Sequence, residues 1–382
     1  MAMRLRAHPP RRPTLALADL RRHHLSVVLE HLVHNGPRSR AALADEVGLT
    51  KATISALVTD LLSRELVQER GPVAGGIGRP GIDVCVSTTV VAIGLQVDAD
   101  GVAACVVDLA GTLRSRHRSD GDHRDLAPGR VLGRLADVAA AAMADIEEAG
   151  LWCAGGALAV PGLVAPATGA LFVAPNLHWL DVDLTSPQHA MGLPPTLPVG
   201  VDNEANLGAL AELRHGAGRS ASSFVYVSGG VGIGAGLVIG GRVIRGSHGF
   251  AGELGHVVVD PSGRSCACGA RGCLETIVGA GRRASRPRRA DALAVALRNV
   301  VHLIDPEAIV LGGTLADDAD DLAPMVAERL REQTLGGRWR PCSVVRSSLG
   351  VDAALVGAAT IALDEVIADP TIVPIDPVTQ TA

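Results

Sequence analysis

From Asp19 onward the chain places apolar residues at helical spacing. Leu25, Val28, Leu29, Leu32 and Val33 fall on one helix face, and Asn35-Gly36-Pro37 supplies a stop. Ser39 is positioned to cap a second helix ending at Gly48, and Thr50 to cap a third that carries Ile54, Leu57, Val58, Leu61 and Leu62. A helix, a glycine turn and another helix at this spacing predict a helix-turn-helix. Segments 66–70 and 82–87 then predict the two strands of a wing, joined by the Gly- and Pro-rich stretch 71–81. From Val90 the texture changes. Apolar runs at 91–97 and 103–109 flank a turn at 98–101. An Ala-rich helix is expected over 131–149, a strand at 157–160, a helix over 204–215, a hairpin over 224–243 and a strand at 308–311. Strands alternating with helices and glycine turns predict a mixed α/β domain, with no repeat of solenoid period.

Hydrophobic residues make up 47% of the 382 and charged residues 20%, enough apolar material for two or three domains and too much for global disorder. Only three Trp, three Phe and one Tyr are present, which argues against a reader of single-stranded nucleic acid by base stacking. The net charge of −5 conceals an asymmetry. Residues 1–90 hold 12 Lys and Arg against 8 Asp and Glu (+4), and the remainder 23 against 32 (−9). A basic head on an acidic body predicts nucleic acid at one end and a different partner at the other. The uncharged stretches 151–180 and 220–241 are broken by Pro161, Pro166 and Pro175 and by glycines respectively, so they predict buried strands and no membrane partner. The basic, proline-broken start has no apolar run, so no secretory leader is expected and the chain is expected in the cytoplasm.

In a helix-turn-helix the exposed N-terminal side chains of the second helix meet base edges in the major groove. Those side chains are Thr50, Lys51, Thr53 and Ser55, with Arg38 and Arg40 placed for phosphates and Arg79, in the wing loop, for a minor groove. A helical protein–protein module with a charged face is the competing reading. The agreement of turn, wing and charge sign favours double-stranded DNA.

Cys266, Cys268 and Cys273 form a Cys-x-Cys-x4-Cys run, and His256 lies ten residues upstream. Three thiolates on a Gly-rich turn and one imidazole make the Cys3His set of a closed structural zinc site. A chance cluster or a reducible disulfide is the alternative, and a zinc that is sensed is a third. Cys85, Cys105, Cys153 and Cys342 sit in apolar contexts and read as core. Glu253 and His256, three apart, share a helical face beside this loop, and Glu275 follows it. Asp202-Asn203-Glu204-Ala-Asn206 adds carboxylates and amides at a strand end, where α/β sheets bind ligands. Carboxylates, amides and an imidazole with few aromatics suit a polyhydroxylated ligand such as a sugar.

These motifs carry a resemblance. The runs Gly229-Gly-Val-Gly-Ile-Gly-Ala-Gly236, Gly246-Ser-His-Gly-Phe-Ala-Gly-Glu-Leu-Gly-His256, the CxCGxxGCxE run 266–275, the cluster 202–206 and Ile309-Val-Leu-Gly-Gly313 together resemble the ROK family, in its sugar-responsive repressor branch. The resemblance covers roughly 90–367. It implies an actin-like pair of α/β lobes closing on a sugar. Asn176, Asn203, Glu204, Glu253, His256 and Glu275 would be sugar partners, and His256 would use one ring nitrogen on zinc and the other on a hydroxyl. Where family kinases carry Asp-x-Gly-Gly-Thr for ATP phosphates, this chain has Gln96-Val-Asp98-Ala-Asp100, placing two carboxylates where a polyanion would lie. The second phosphate loop lacks its hydroxyl residue, and Glu204 stands at the usual catalytic Asp position. Only about 30 residues separate Glu275 from Asp305, and 282–289 reads as a basic loop.

The expectation is therefore an α/β protein in four parts: a basic arm (1–18), a winged helix-turn-helix (19–88), a two-lobed ROK sugar-binding domain with a zinc loop at 256–275 (89–370), and a tail (371–382). It is expected to act as a repressor of sugar-uptake or catabolism genes, as a homodimer or homotetramer, with structural zinc, no ATP and no enzyme activity. A ROK kinase for a hexose or amino sugar with an appended DNA-binding head is the alternative.

Overall fold

In the first part of the chain, helix α1 (Leu17–Asn35) buries Leu25, Val28, Leu29 and Leu32 and half-buries Val33. The two-residue strand β1 (Arg38–Ser39) leads into α2 (Arg40–Val47). Ser39 caps α2 by accepting the Ala42 amide at 3.2 Å, and Gly48 ends it in the left-handed region at φ 76°, a conformation that favours glycine. Helix α3 (Lys51–Ser63) starts on Thr50, whose hydroxyl accepts the Thr53 amide, and buries Ile54, Leu57, Val58 and Leu61. The wing is β2 (Val67–Arg70) paired antiparallel with β3 (Asp83–Val86), and β1 joins it to give the order β1-β3-β2. The structure, a computed structural model, describes residues 17–71, 82–165, 168–184, 186–279 and 284–377. Arg79, most of the basic arm and the end of the tail lie outside them.

The body begins with β4 (Val90–Asp98), β5 (Gly101–Asp108), β6 (Leu113–Asp120), α4 (Pro128–Glu148) and β7 (Trp152–Val160). The small strands β8 (Leu163–Val164), β9 (Leu171–Ala174) and β10 (Trp179–Val182) form a sheet of their own. Then come α5 (Pro187–Ala190), β11 (Val199–Asn203) and α6 (Glu204–His215). The second lobe holds β12 (Phe224–Gly229), β13 (Ile233–Ile239), β14 (Arg242–Ile244), α7 (Glu275–Val278), α8 (Arg286–Ile304), β15 (Ala308–Gly313), α9 (Ala319–Gln333) and β16 (Ser343–Arg346). Helix α10 (Ala353–Ala368) follows.

The two five-stranded sheets share one topology. Their orders are β11-β7-β4-β5-β6 and β14-β13-β12-β15-β16. In each, an antiparallel meander of three strands is followed by two strands added parallel to the first of them. The buried stripe of α4 (Val131, Leu135, Val138, Ala142, Ile146) covers the first sheet, and Leu293, Leu297, Leu322 and Val326 of α8 and α9 cover the second. Each lobe thus has its own apolar core, the arrangement of an actin-like α/β pair.

One expectation is corrected. Residues 286–289 open α8 and are not loop. Arg289 pairs with Asp318 at 2.5 Å, and Arg286 reaches Asp318 and Asp321. Carboxylates of α9 and the turn before it hold these cations on a helix. The described residues divide into two compact units, one ending at Ser87 and taking in 365–377, the other spanning 88–364. The residues after Asp364 therefore group with the head.

Candidate sugar pocket, metal cluster and DNA-binding helix

A cavity of about 320 Å³ opens where strand ends of the two lobes meet. From the first lobe it takes Gln96, Asp98 and Asp100 at the β4–β5 turn, Asn176 from the turn after β9, and Glu204 at the start of α6. From the second it takes Gly229 and Gly232 of the β12–β13 turn and Gly313-Thr314 after β15. At Gly232 two side chains approach the backbone closely. A Cβ there would lie 2.7 Å from Asn176 Nδ2 and 3.2 Å from Glu275 Oε2, so the bare backbone lets an amide and a carboxylate from distant segments converge.

Glu204 and Asp98 lie side by side. Burial, reinforced by the neighbouring Asp98 charge, pushes the Glu204 carboxyl well above its usual range. Burial also raises Asp98, against hydrogen bonds with Glu204 and with Gln96, whose Nε2 donates at 2.8 Å. Facing carboxyls raised in this way favour the protonated form of one of them. Asp98 and Asp100, the two carboxylates expected where a polyanion would lie, both line the cavity. Asp100 pairs with Arg124 at 2.7 Å, and Arg116 and Arg118 line the same cavity, Arg116 bound to Asp352 at 2.8 Å.

Asn203 and Glu204 diverge in role. The Asn203 side chain caps α6, accepting the Ala205 and Asn206 amides, while its Nδ2 donates to the Gly162 carbonyl at 2.8 Å. Its amide is committed to the backbone, whereas Glu204 faces the cavity. Asp202, just before, is buried and bound to Arg245 at 2.7 Å, a contact the sequence does not announce because the partners lie 43 residues apart.

Glu253 is the N-cap and His256 the last residue of a single 3-10 turn, Leu254–His256, where the sequence predicts an ordinary helical face. The closer i, i+3 alignment of a 3-10 turn still brings Glu253 Oε2 to 3.9 Å from His256 Nε2. Burial raises Glu253, and Glu275 adds to the effect against His256. His256, Cys266, Cys268 and Cys273 place their ligand atoms within 4.8 Å of one another. Nδ1 of His256 faces Cys266 at 3.6 Å, and Cys268 and Cys273 are 3.7 Å apart. Thiolates at 2.3 Å around one tetrahedral ion are about 3.8 Å apart, so the cluster has the size and donors to hold a metal ion. Glu275 Oε1 accepts from Cys266 at 2.8 Å, and its Oε2 lies beside Gly232; Glu253, His256 and Glu275 themselves are not among the residues lining the cavity.

In the head, Thr50, Lys51 and Ser55 are exposed at the start of α3, while Thr53 is half-buried and bonded to Thr50 at 2.9 Å. Arg38 is bound to Glu46 at 3.0 Å, and Arg40 to Glu69 at 2.8 Å. Each arginine thus has an acidic partner within the head, a restraint that the linear charge count conceals.

Sequence reasoning missed Arg116, Arg118, Thr314 and Asp352 in the cavity wall. The signal was available in part, because Arg116 and Arg118 are two apart on a strand and so share a face.

A chain that carries a winged helix-turn-helix and, after it, a two-lobed α/β body with a cleft of carboxyls and amides has the organisation of a DNA-binding module fused to a kinase-type sugar fold. The chain belongs to the ROK family, whose model matches residues 92–286 and 280–365. It is 28% identical over 378 residues to the xylose repressor of Bacillus subtilis, covering 88% of this chain and 94% of that protein. A ROK family transcriptional regulator described as a homologue of the E. coli MLC protein superposes with a TM-score of 0.73 at 24% identity, over 94% of this chain and 99% of that one. A ROK family glucokinase from Streptomyces griseus, solved with glucose and AMPPNP, gives a TM-score of 0.61 at 27% identity, over 72% and 99%.

Proposed function

We propose that this protein is a sugar-responsive transcriptional repressor. The observation that carries the reading is one chain holding both an N-terminal winged helix-turn-helix and a ROK cavity. The similarity to xylose repressors along nearly the whole length supports it. The head reads double-stranded DNA through Lys51 and Ser55, exposed at the start of α3, with Thr50 and Thr53 fixing that first turn. Arg38 and Arg40 serve phosphates by exchanging Glu46 and Glu69 for the DNA backbone, and Arg79 serves a minor groove. The body takes a monosaccharide between Asn176, Glu204, Glu253, His256 and Glu275. D-xylose and D-glucose are the first candidates, from the names of the similar proteins. Asn203 shapes the site by capping α6. Zinc is the metal that His256, Cys266, Cys268 and Cys273 suit, with Nδ1 as the imidazole donor, leaving Nε2 toward Glu253 and the ligand. The protein works as a homodimer or homotetramer, two heads meeting two half-sites. Gel-shift of in vitro selected double-stranded DNA with a panel of sugars tests the reading; failure to select any sequence at low salt would sink it.

A second reading has its own support. Glu204 retains a carboxyl at the family's base position, and Arg116, Arg118 and Thr314 give the cavity groups that suit a phosphate. A glucokinase-like activity would then persist beside regulation. Coupled ADP release with D-glucose tests it. Turnover abolished in Glu204→Gln would establish it, and no turnover at any sugar concentration confines the cavity to sensing.

A further inference from the structure

Helix α6 begins at the pocket with Glu204 and ends at two contacts that lead elsewhere. Glu212, eight residues on, has no solvent exposure. Its carboxylate accepts the Leu349 amide at 3.1 Å, the Ser348 amide at 3.4 Å and the Ser347 hydroxyl, as well as the Ala217 amide at 2.6 Å. The segment 347–349 is the lead-in to α10. Two residues beyond Glu212, Arg214 holds Asp364 of α10 at 3.0 Å. Nearer the start of α6 the two helices come close at the backbone, since a Cβ on Gly357 would lie 1.9 Å from the Leu207 carbonyl. Ala354 and Ala358 close around Leu207 in one apolar cluster. Close packing of small residues leaves little room for one helix to shift without the other.

Helix α10 is continuous to Ala368, and from Glu365 the chain groups with the head. The residues that follow are anchored there. Arg64, at the end of α3, donates to the carbonyls of Thr371 (3.3 Å) and Val373, the Asp376 amide donates to the Ser63 carbonyl at 2.9 Å, and Arg22 reaches Asp369 at 3.4 Å. Val373 is fully buried.

We infer that Glu212 is a positioning residue that couples the sugar pocket to the DNA-reading helix, by fixing α6 to the lead-in of α10, the helix whose following segment, 369–376, is bonded to the C-terminus of α3. A ligand that moves the first turn of α6 moves α10 with it, and the C-terminal segment carries the shift to Ser63 and Arg64. The inference rests on the pocket being an effector site and on α3 reading DNA, and it adds the connection between them. One route of named contacts is a claim about coupling, so coupling is what must be measured.

Two arms test it on the full-length protein with the variants Glu212→Gln and Arg214→Met, the second at a partly exposed position that leaves the core intact. Without ligand, hydrogen exchange is followed by mass spectrometry. Faster exchange is expected at 347–352 and also at 369–376, and a change confined to 212–217 and 347–352 overturns the relay. With D-xylose or D-glucose, sugar affinity is measured by calorimetry, and affinity for the selected DNA with and without saturating sugar. Both variants should bind sugar and free DNA within threefold of wild type, while the sugar-induced change in DNA affinity falls to under a third of the wild-type factor. An unchanged factor in both variants overturns the inference. Should neither sugar bind wild type, the choice of effector fails, and the exchange arm alone decides the relay.

Discussion

Glu204 and Asp98 are the residues whose chemistry is most altered by the fold. Burial raises both carboxyls, so the native state keeps a proton that the unfolded chain releases in the ordinary carboxylate range. The native protein then binds more protons than the unfolded one, and stability falls as pH rises from that range through the raised values of the pair. Asp98→Asn removes one of the two acids. Its melting temperature should match or exceed wild type at pH 8, with the advantage shrinking toward pH 5, as read by calorimetric scans. A constant difference across that range contradicts the retained proton. Gly232→Ala tests the other side of the cavity. The added methyl meets Asn176 and Glu275, so sugar affinity should fall about tenfold or more, with little change in DNA binding by the free protein. In the head, Lys51→Ala should weaken specific DNA by about 1–3 kcal/mol if the ammonium meets a base edge. An equal loss on unrelated DNA would make it a phosphate contact instead.

At the scale of elements, the metal loop joins folding to ligand binding. The turn 266–273 brings three thiols together with His256, so a metal held there would add a crosslink to the loop's backbone hydrogen bonds. Chelation, or Cys268→Ser, should lower the melting temperature and weaken sugar binding together, the latter by about 10–100-fold because His256 would lose its orienting partner. Metal exchange with unchanged stability would mark a sensor. Elements of this kind are legible in sequence where the constraint is local. The caps Ser39 and Thr50, the stop at Gly48 and helix α6 at Glu204–His215 follow from neighbours a few residues away. The partners of Asp202, Glu212 and Arg116 lie tens to hundreds of residues off, and no periodicity encodes them. Charge runs misled for a related reason: 286–289 reads as a solvated basic loop until Asp318 and Asp321 are brought opposite.

The whole molecule repeats itself in a way its sequence conceals. Both lobes use one strand order, built on different residues, because topology constrains where apolar positions fall and leaves their identity open. That shared architecture places strand ends from two lobes around one cavity, and the same fold serves kinases and regulators alike. The composition of this chain separates its tasks, with +4 over residues 1–90 and −9 over the rest. DNA affinity should accordingly fall steeply with salt while sugar affinity stays nearly constant, a contrast that parallel titrations from 50 to 200 mM salt would read. The central claim is that one sugar in the ROK cavity changes what the winged head does. The direct measurement is the affinity of the full-length protein for its selected DNA, with and without saturating D-xylose or D-glucose, at fixed salt. The account predicts a change of about 5–150-fold, the range of 1–3 kcal/mol of coupling, abolished in Glu253→Gln. A sugar that binds the cavity tightly and leaves DNA affinity unaltered would contradict it.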